Sequence, residues 1–166
     1  MKIAVFADSH GSCGYMLSET AKLSRSVIID YIIHLGDLVR DAENLKNDFE
    51  SPSLKIEYVY GNCDYTSNRS EYEKELVICE KRFLILHGHT RNIKSSVETL
   101  KILGEQKKYD VILYGHTHVP KEDYHNGTYI INPGSIREPR AGSFPSYATI
   151  NISDGKIQAN IRRYNL

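Results

Sequence analysis

Five short blocks of side chains able to hold a metal ion recur along this chain: Asp8-Ser9-His10, Gly36-Asp37, Gly61-Asn62-Cys63-Asp64, His87-Gly88-His89 and Gly115-His116-Thr117-His118. Imidazole nitrogen combined with carboxylate and amide oxygen suits Mn²⁺, Fe²⁺, Ni²⁺ or Zn²⁺ better than Ca²⁺, which prefers an all-oxygen shell. A set in which imidazole and oxygen donors far outnumber the one thiol, Cys63, also argues against a structural zinc site, which is closed and rich in cysteine. The chemistry to expect is therefore that of a catalytic divalent cation with open positions.

Each block follows a run of four to seven apolar residues, read as a buried strand, so the ligand-bearing segments fall at strand ends. The first half alternates strand and helix: a strand over 2–7, a helix over 14–27, a strand over 31–35, a helix over 40–49 and a strand over 55–60. Ala42, Leu45 and Phe49 share one face of the second helix, Glu43, Lys46 and Asn47 the other, and Pro52 forbids continuation. Strands over 72–79 and 82–87 meet at Glu80-Lys81. Ile93, Val97 and Leu100 mark a helix closed by Gly104, and a strand over 110–114 follows. Beyond it the pattern is mainly β, over 119–124, 128–132, 146–152 and 156–163, with hairpin turns expected at Asn126-Gly127 and Asp154-Gly155 and a loop over 132–145. Two sheets are expected.

The 166 residues fit one domain, 1–166, able to bury roughly two thirds of its unfolded surface. Lys plus Arg and Asp plus Glu stand at 21 each, so no global field draws the chain to nucleic acid or an anionic membrane. No run approaches the roughly 18 apolar residues of a membrane span. The opening apolar run is too short for a secretory signal, and three scattered cysteines, Cys13, Cys63 and Cys79, suit a reduced cytoplasm.

The order and spacing of the five blocks resemble the metallophosphoesterase (calcineurin-like) superfamily, specifically its small YfcE-like phosphodiesterase branch. The resemblance implies an α/β (α+β) fold, a two-sheet β-sandwich flanked by helices, with the metal centre at the strand ends. It matches Asp8, His10, Asp37 and His118 to the ligands of one metal, and Asp37, Asn62, His87 and His116 to those of a second, with Asp37 bridging. The implied cofactor is a pair of divalent ions, manganese first, with Ni²⁺, Fe²⁺ or Zn²⁺ as alternatives. Two such ions acidify a bridging water, orient it in line with phosphorus and neutralise the phosphoryl oxygens. Asp37, Asn62 and His87 then serve catalysis through the hydroxide so activated. The expected reaction is hydrolysis of a small phosphate diester. A phosphomonoesterase and a non-catalytic scaffold, the role of a retromer subunit with this fold, remain alternatives, and homo-oligomerisation stays open.

Cys63 departs from the Gly-Asn-His pattern of many members, in which an imidazole is assigned proton donation to the leaving oxygen. Its absence shifts the expected substrates toward good leaving groups, because general acid catalysis contributes typically ~10² to 10⁴-fold. Asp8 alone would read as a helix cap and Asn62 as a turn residue, so only the ensemble makes them ligands. His34, inside an apolar run, reads as a hydrogen-bonded core side chain, and His125 as solvated. His89 reads as a neighbour of the ligands rather than one of them. Asn132-Pro133-Gly134-Ser135 resembles the family's loop near the active centre, where it would shape the pocket, with a plain Pro-Gly turn as the alternative, and a bidentate contact of Arg137 or Arg140 with substrate phosphate stays open.

Overall fold

The computed structural model describes residues 1–25, 28–66 and 68–164, with the backbone alone at 69–70. Strand β1 (Lys2–Phe6) lies between β9 (Ser146–Ser153) and β2 (Tyr31–His34). With β3 (Lys55–Tyr58) and β10 (Lys156–Arg163) it forms a sheet of order β10-β9-β1-β2-β3. The second sheet has the order β4-β5-β6-β8-β7, built from β4 (Glu73–Ile78), β5 (Lys81–Leu86), β6 (Val111–Tyr114), β7 (Lys121–His125) and β8 (Thr128–Asn132). β1, β2 and β3 run parallel, as do β5, β6 and β8; β9 pairs antiparallel with β1 and β10 with β9, while β4 and β7 pair antiparallel with β5 and β8. The expected two-sheet sandwich is thus the observed one.

Alternation within β1 explains the layering. Ile3, Val5 and Ala7 face inward with Ile33, Leu35 and Val59 of their own sheet and meet Phe83, Ile85, Val111, Leu113 and Ile131 of the other. Ala4 and Phe6 face outward against Met16 of α1 (Cys13–Ser24) and Leu45 of α2 (Arg40–Phe49). Leu84, Leu86, Ile112 and Ile130 do the same for the second sheet beneath Leu100 of α3 (Glu98–Lys107). A strand covered on both faces needs apolar residues at consecutive positions, which is why these runs lack a polar alternation.

Local differences from the sequence reading have identifiable causes. α1 closes at Ser24 with Arg25 as its cap, and residues 26–27 of the expected helix lie outside the described residues. Phe49, the last residue of α2, is 48% exposed, and at the other end of the helix Asp41 is buried through hydrogen bonds to distant residues. Gly104 does not end α3. It is buried within it, where a Cβ would lie 2.9 Å from Thr128 Oγ1, and the helix instead closes at Lys108 with φ 57°. Ile93 is not helical but packs beneath Gly88. The β4–β5 turn falls at Cys79-Glu80, one residue earlier than expected, with φ 50° and 61°. Asn126-Gly127 and Asp154-Gly155 turn their hairpins with both residues at positive φ, as a type I′ turn requires.

The consequence for the site is geometric. The C-terminal ends of β1, β2 and β3 in one sheet and of β5 and β6 in the other open onto one rim, and all five ligand-bearing blocks follow those ends.

Candidate metal centre

Three of the five blocks leave their strands through a backbone that side chains rarely adopt. Asp8, His10, Asp37, His116 and His118 have φ of 52°, 44°, 59°, 67° and 59°. Left-handed conformations at non-glycine residues cost on the order of 1–3 kcal/mol each and persist where the surroundings over-determine them. Here the surroundings are the strand ladders continued into the turns: Asp8 N–H donates to the Gly36 carbonyl at 3.0 Å, and Gly115 N–H to the His87 carbonyl at 3.1 Å. Gly61 passes so close to Asp37 that a Cβ would lie 2.2 Å from its Oδ1, so no side chain fits there.

The first group of donors is Asp8, His10, Asp37 and His118, one ligand atom of each lying within 4.8 Å of the others. His118 Nε2 stands 3.3 Å from Asp8 Oδ1, and His10 Nε2 stands 4.0 Å from Asp37 Oδ2. His118 Nδ1–H donates to the Glu138 carbonyl at 2.7 Å, which fixes the tautomer and leaves the Nε2 lone pair directed at Asp8. Asp8 Oδ1 and His10 Nε2 are buried and make no hydrogen bond.

The second group straddles the sheets. His87 Nδ1–H donates to the Leu35 carbonyl of the other sheet at 2.7 Å, so its Nε2 carries a lone pair. That nitrogen faces Asn62 Oδ1 at 3.1 Å, His116 Nδ1 at 3.2 Å and Asp37 Oδ1 at 3.4 Å. Lone pairs and carboxylate oxygens converging without enough protons between them repel one another, and a divalent cation answers that repulsion. Asp37 borders both groups.

Titration follows the same electrostatics. Burial, reinforced by the neighbouring Asp37 charge, pushes Asp8 well above the usual carboxylate range. Burial also acts on Asp37, but His87 and the Cys63 backbone amide outweigh it and hold that carboxyl down. Burial, with His87 beside it, lowers His116 to about 4, and burial lowers His87 and His118 as well. Neutral imidazoles and a carboxyl deprived of a countercharge are what a cation-binding cluster offers. The orphaned Asp8 and His10 atoms, the two fixed tautomers and the mixed oxygen and nitrogen donors all fit divalent metal.

The remaining sequence candidates fall around this rim. His89 is half-buried, its ring edge-on to Tyr72 at 4.6 Å and 5.4 Å from the His87 ring. Cys63 is exposed; its amide donates to Asp37 Oδ1 at 2.9 Å, and burial together with the Asp37 charge pushes its thiol up to about 11. Arg137 donates to Tyr15 Oη at 3.0 Å, and Arg140 is tied by its amide to the His118 carbonyl at 3.2 Å. Asn132 donates to the Gly115 carbonyl at 2.8 Å and to Thr117 Oγ1 at 3.0 Å, and Ser135 Oγ to the Asp8 carbonyl at 2.7 Å. The 132–135 loop therefore braces two of the ligand turns. His34 is fully buried with Ser9 Oγ at 2.9 Å.

Two acidic residues had no role assigned from the sequence. Asp64 accepts from the amides of Asp37, Leu38 and Val39, at 2.8 to 3.0 Å, and from Gly61 at 2.7 Å, which locks the Asp37 turn to the Asn62 turn. Asp41 accepts from Ser9 Oγ and Gly11 N–H. The only local signal was position: Asp64 ends the Gly-Asn-Cys-Asp block, and Asp41 sits in the first turn of a helix.

Comparison with known proteins agrees with the architecture. The calcineurin-like phosphoesterase superfamily domain matches residues 1–155. The probable metallophosphoesterase YsnB of Bacillus subtilis is 29% identical over 99% of this chain and 91% of its own length. The phosphodiesterase YfcE of Escherichia coli is 24% identical over 91% of this chain and 88% of its own. Vps29 of Entamoeba histolytica, solved with zinc, superposes with a TM-score of 0.71 over 99% of this chain and all of that one at 20% identity.

Proposed function

We propose, from the premise that this chain belongs to the calcineurin-like phosphoesterase superfamily, that it is a phosphodiesterase using two divalent cations, manganese first among them, to hydrolyse a small phosphate diester. The observation that carries this reading is the pair of ligand groups sharing Asp37, each with an imidazole whose outward nitrogen is freed by a carbonyl contact. Asp8, His10, Asp37 and His118 would hold one cation, and Asp37, Asn62, His87 and His116 the other. When bound, two such cations supply an acidified water and cancel charge on the phosphoryl oxygens.

The chain's own residues do the rest. The carboxylates of Asp8 and Asp37 offset only part of the charge of two divalent ions, so the rim attracts an anionic phosphate although the chain as a whole is neutral. The Leu35 and Glu138 carbonyls keep His87 and His118 in the ligating tautomer. No imidazole stands at position 63, and a thiol near 11 lies far from the optimum for a proton donor at neutral pH. Diesters with good leaving groups are the substrates this arrangement favours.

The test is hydrolysis of bis-p-nitrophenyl phosphate with added Mn²⁺, run beside p-nitrophenyl phosphate and beside Asp37→Asn and His116→Ala. Faster turnover of the diester, lost in both variants, is expected, and a preference for the monoester would reverse the substrate class. The likeness to Vps29 supports a second reading as a binding scaffold. Equal inertness of wild type and variants, with metal still bound, would favour it.

A further inference from the structure

Behind the first ligand group lies a buried polar chain that no part of the proposed chemistry uses. Gly36 N–H donates to His34 Nδ1 at 3.3 Å, so Nε2 carries the ring proton and donates to Ser9 Oγ at 2.9 Å. Ser9 Oγ in turn donates to Asp41 Oδ2 at 2.7 Å, and that same oxygen accepts from Gly11 N–H at 3.0 Å. Ser9 and His34 are fully buried and Asp41 nearly so. Burial lowers His34 to about 4, which keeps the ring neutral and the donor order fixed at neutral pH.

A buried network of this kind contributes little net stability, since well-packed apolar residues often serve as well or better, but it does impose one geometry. The geometry in question is specific. Ser9 and Gly11 flank His10, with Asp8 just before, while His34 and Gly36 lead directly into Asp37. Asp41 belongs to the first turn of α2. Three segments are thereby tied together at the point where Asp8, His10 and Asp37 hold strained positive φ. Asn62, His87 and His116 sit on the turns after β3, β5 and β6, which the chain of bonds does not touch.

We propose that Asp41, acting through Ser9 and His34, is a positioning residue that sets the Asp8–His10 turn against Asp37 and so tunes the first ligand group selectively. The inference rests on the metal-centre reading above, and its readout is metal binding rather than turnover. An inert protein that still binds manganese would sink the phosphodiesterase and leave the positioning role open to measurement.

The experiment is calorimetric titration of the chelator-stripped chain with Mn²⁺, for wild type, Ser9→Ala and Asp41→Asn, with thermal unfolding of each. The expected result is that one of two binding events weakens about 10 to 100-fold while the other keeps its affinity. His34→Gln, which retains a donor for Ser9 Oγ, is expected to keep both. The proposal is overturned if both events weaken together in step with a fall in Tm, or if Ser9→Ala and Asp41→Asn bind as wild type does.

Discussion

His87 spends one ring nitrogen on the Leu35 carbonyl and presents the other to Asn62, His116 and Asp37, so a single contact decides what that histidine can hold. The same economy makes Cys63 informative. It is exposed, its side chain lying against Asn62 Nδ2, at 3.4 Å, and the Asp37 carboxylate, and its solvent side leaves room for a larger ring. Cys63→His should therefore raise kcat on diesters with alkoxide leaving groups by about 10-fold or more while leaving bis-p-nitrophenyl phosphate nearly unchanged, because a proton donor helps only where the leaving oxygen is basic. Equal gains on both substrates would contradict the role assigned to that position. His34 allows a pH prediction. Its folded pKa, about 4, lies below its ordinary 6.5, so between these values the unfolded chain binds more protons and stability falls as pH falls. Above 6.5 the contribution is intact and below about 4 it is lost. Chelator-treated wild type should lose about 2 kcal/mol more than His34→Gln between pH 7 and pH 5 in urea titrations. At this scale the residues that gather at the rim were legible from their spacing, whereas the bracing roles of Asp41 and Asp64 were not, because most of their partners are amides and a hydroxyl 25 to 32 residues away.

At the scale of elements, the chain announces its strands and turns more clearly than its helix faces. Asn126-Gly127 and Asp154-Gly155 required positive φ at both positions and took it, and the bounds of α2, β8 and β10 follow directly from the apolar pattern. Gly104 misled because glycine also serves where a helix must approach a strand, and Thr128 leaves no space for a Cβ there. Phe49 misled because it is the last residue of α2 and stands 48% exposed, while Ala42 and Leu45 of the expected face are buried. Gly61 shows the close-approach rule at the site itself. Gly61→Ala would drive a Cβ into Asp37, forcing the β2 and β3 turns apart. A loss of about 1–3 kcal/mol is expected from overpacking, read by chemical denaturation, together with weakened Mn²⁺ binding. Unchanged stability and binding would mean the two turns are looser than their contacts imply.

For the whole molecule, two sheets, one built from residues 2–58 and 146–163 and the other from residues 73–132, meet at one rim, and the groups gathered there repel each other when no cation is present. Metal removal should therefore be felt globally. Mn²⁺ at about 100 times Kd stabilises by about 2.7 kcal/mol per site, about 5 kcal/mol for two, which for a chain of this size raises Tm by about 10–20 °C over the chelator-treated protein. No shift in scanning calorimetry would detach the fold from the ions. The neutral composition gave no sign of this local concentration of charge, since Lys and Arg balance Asp and Glu only when summed over the chain. Among the described residues no helix is long and apolar enough to cross a membrane. The most direct measurement of the central claim is anomalous diffraction at the manganese edge from Mn²⁺-soaked crystals. Two peaks about 3.5 to 4 Å apart are expected, one bounded by Asp8, His10 and His118, the other by Asn62, His87 and His116, with Asp37 reaching both. A single peak, or two peaks that do not share Asp37, would contradict it.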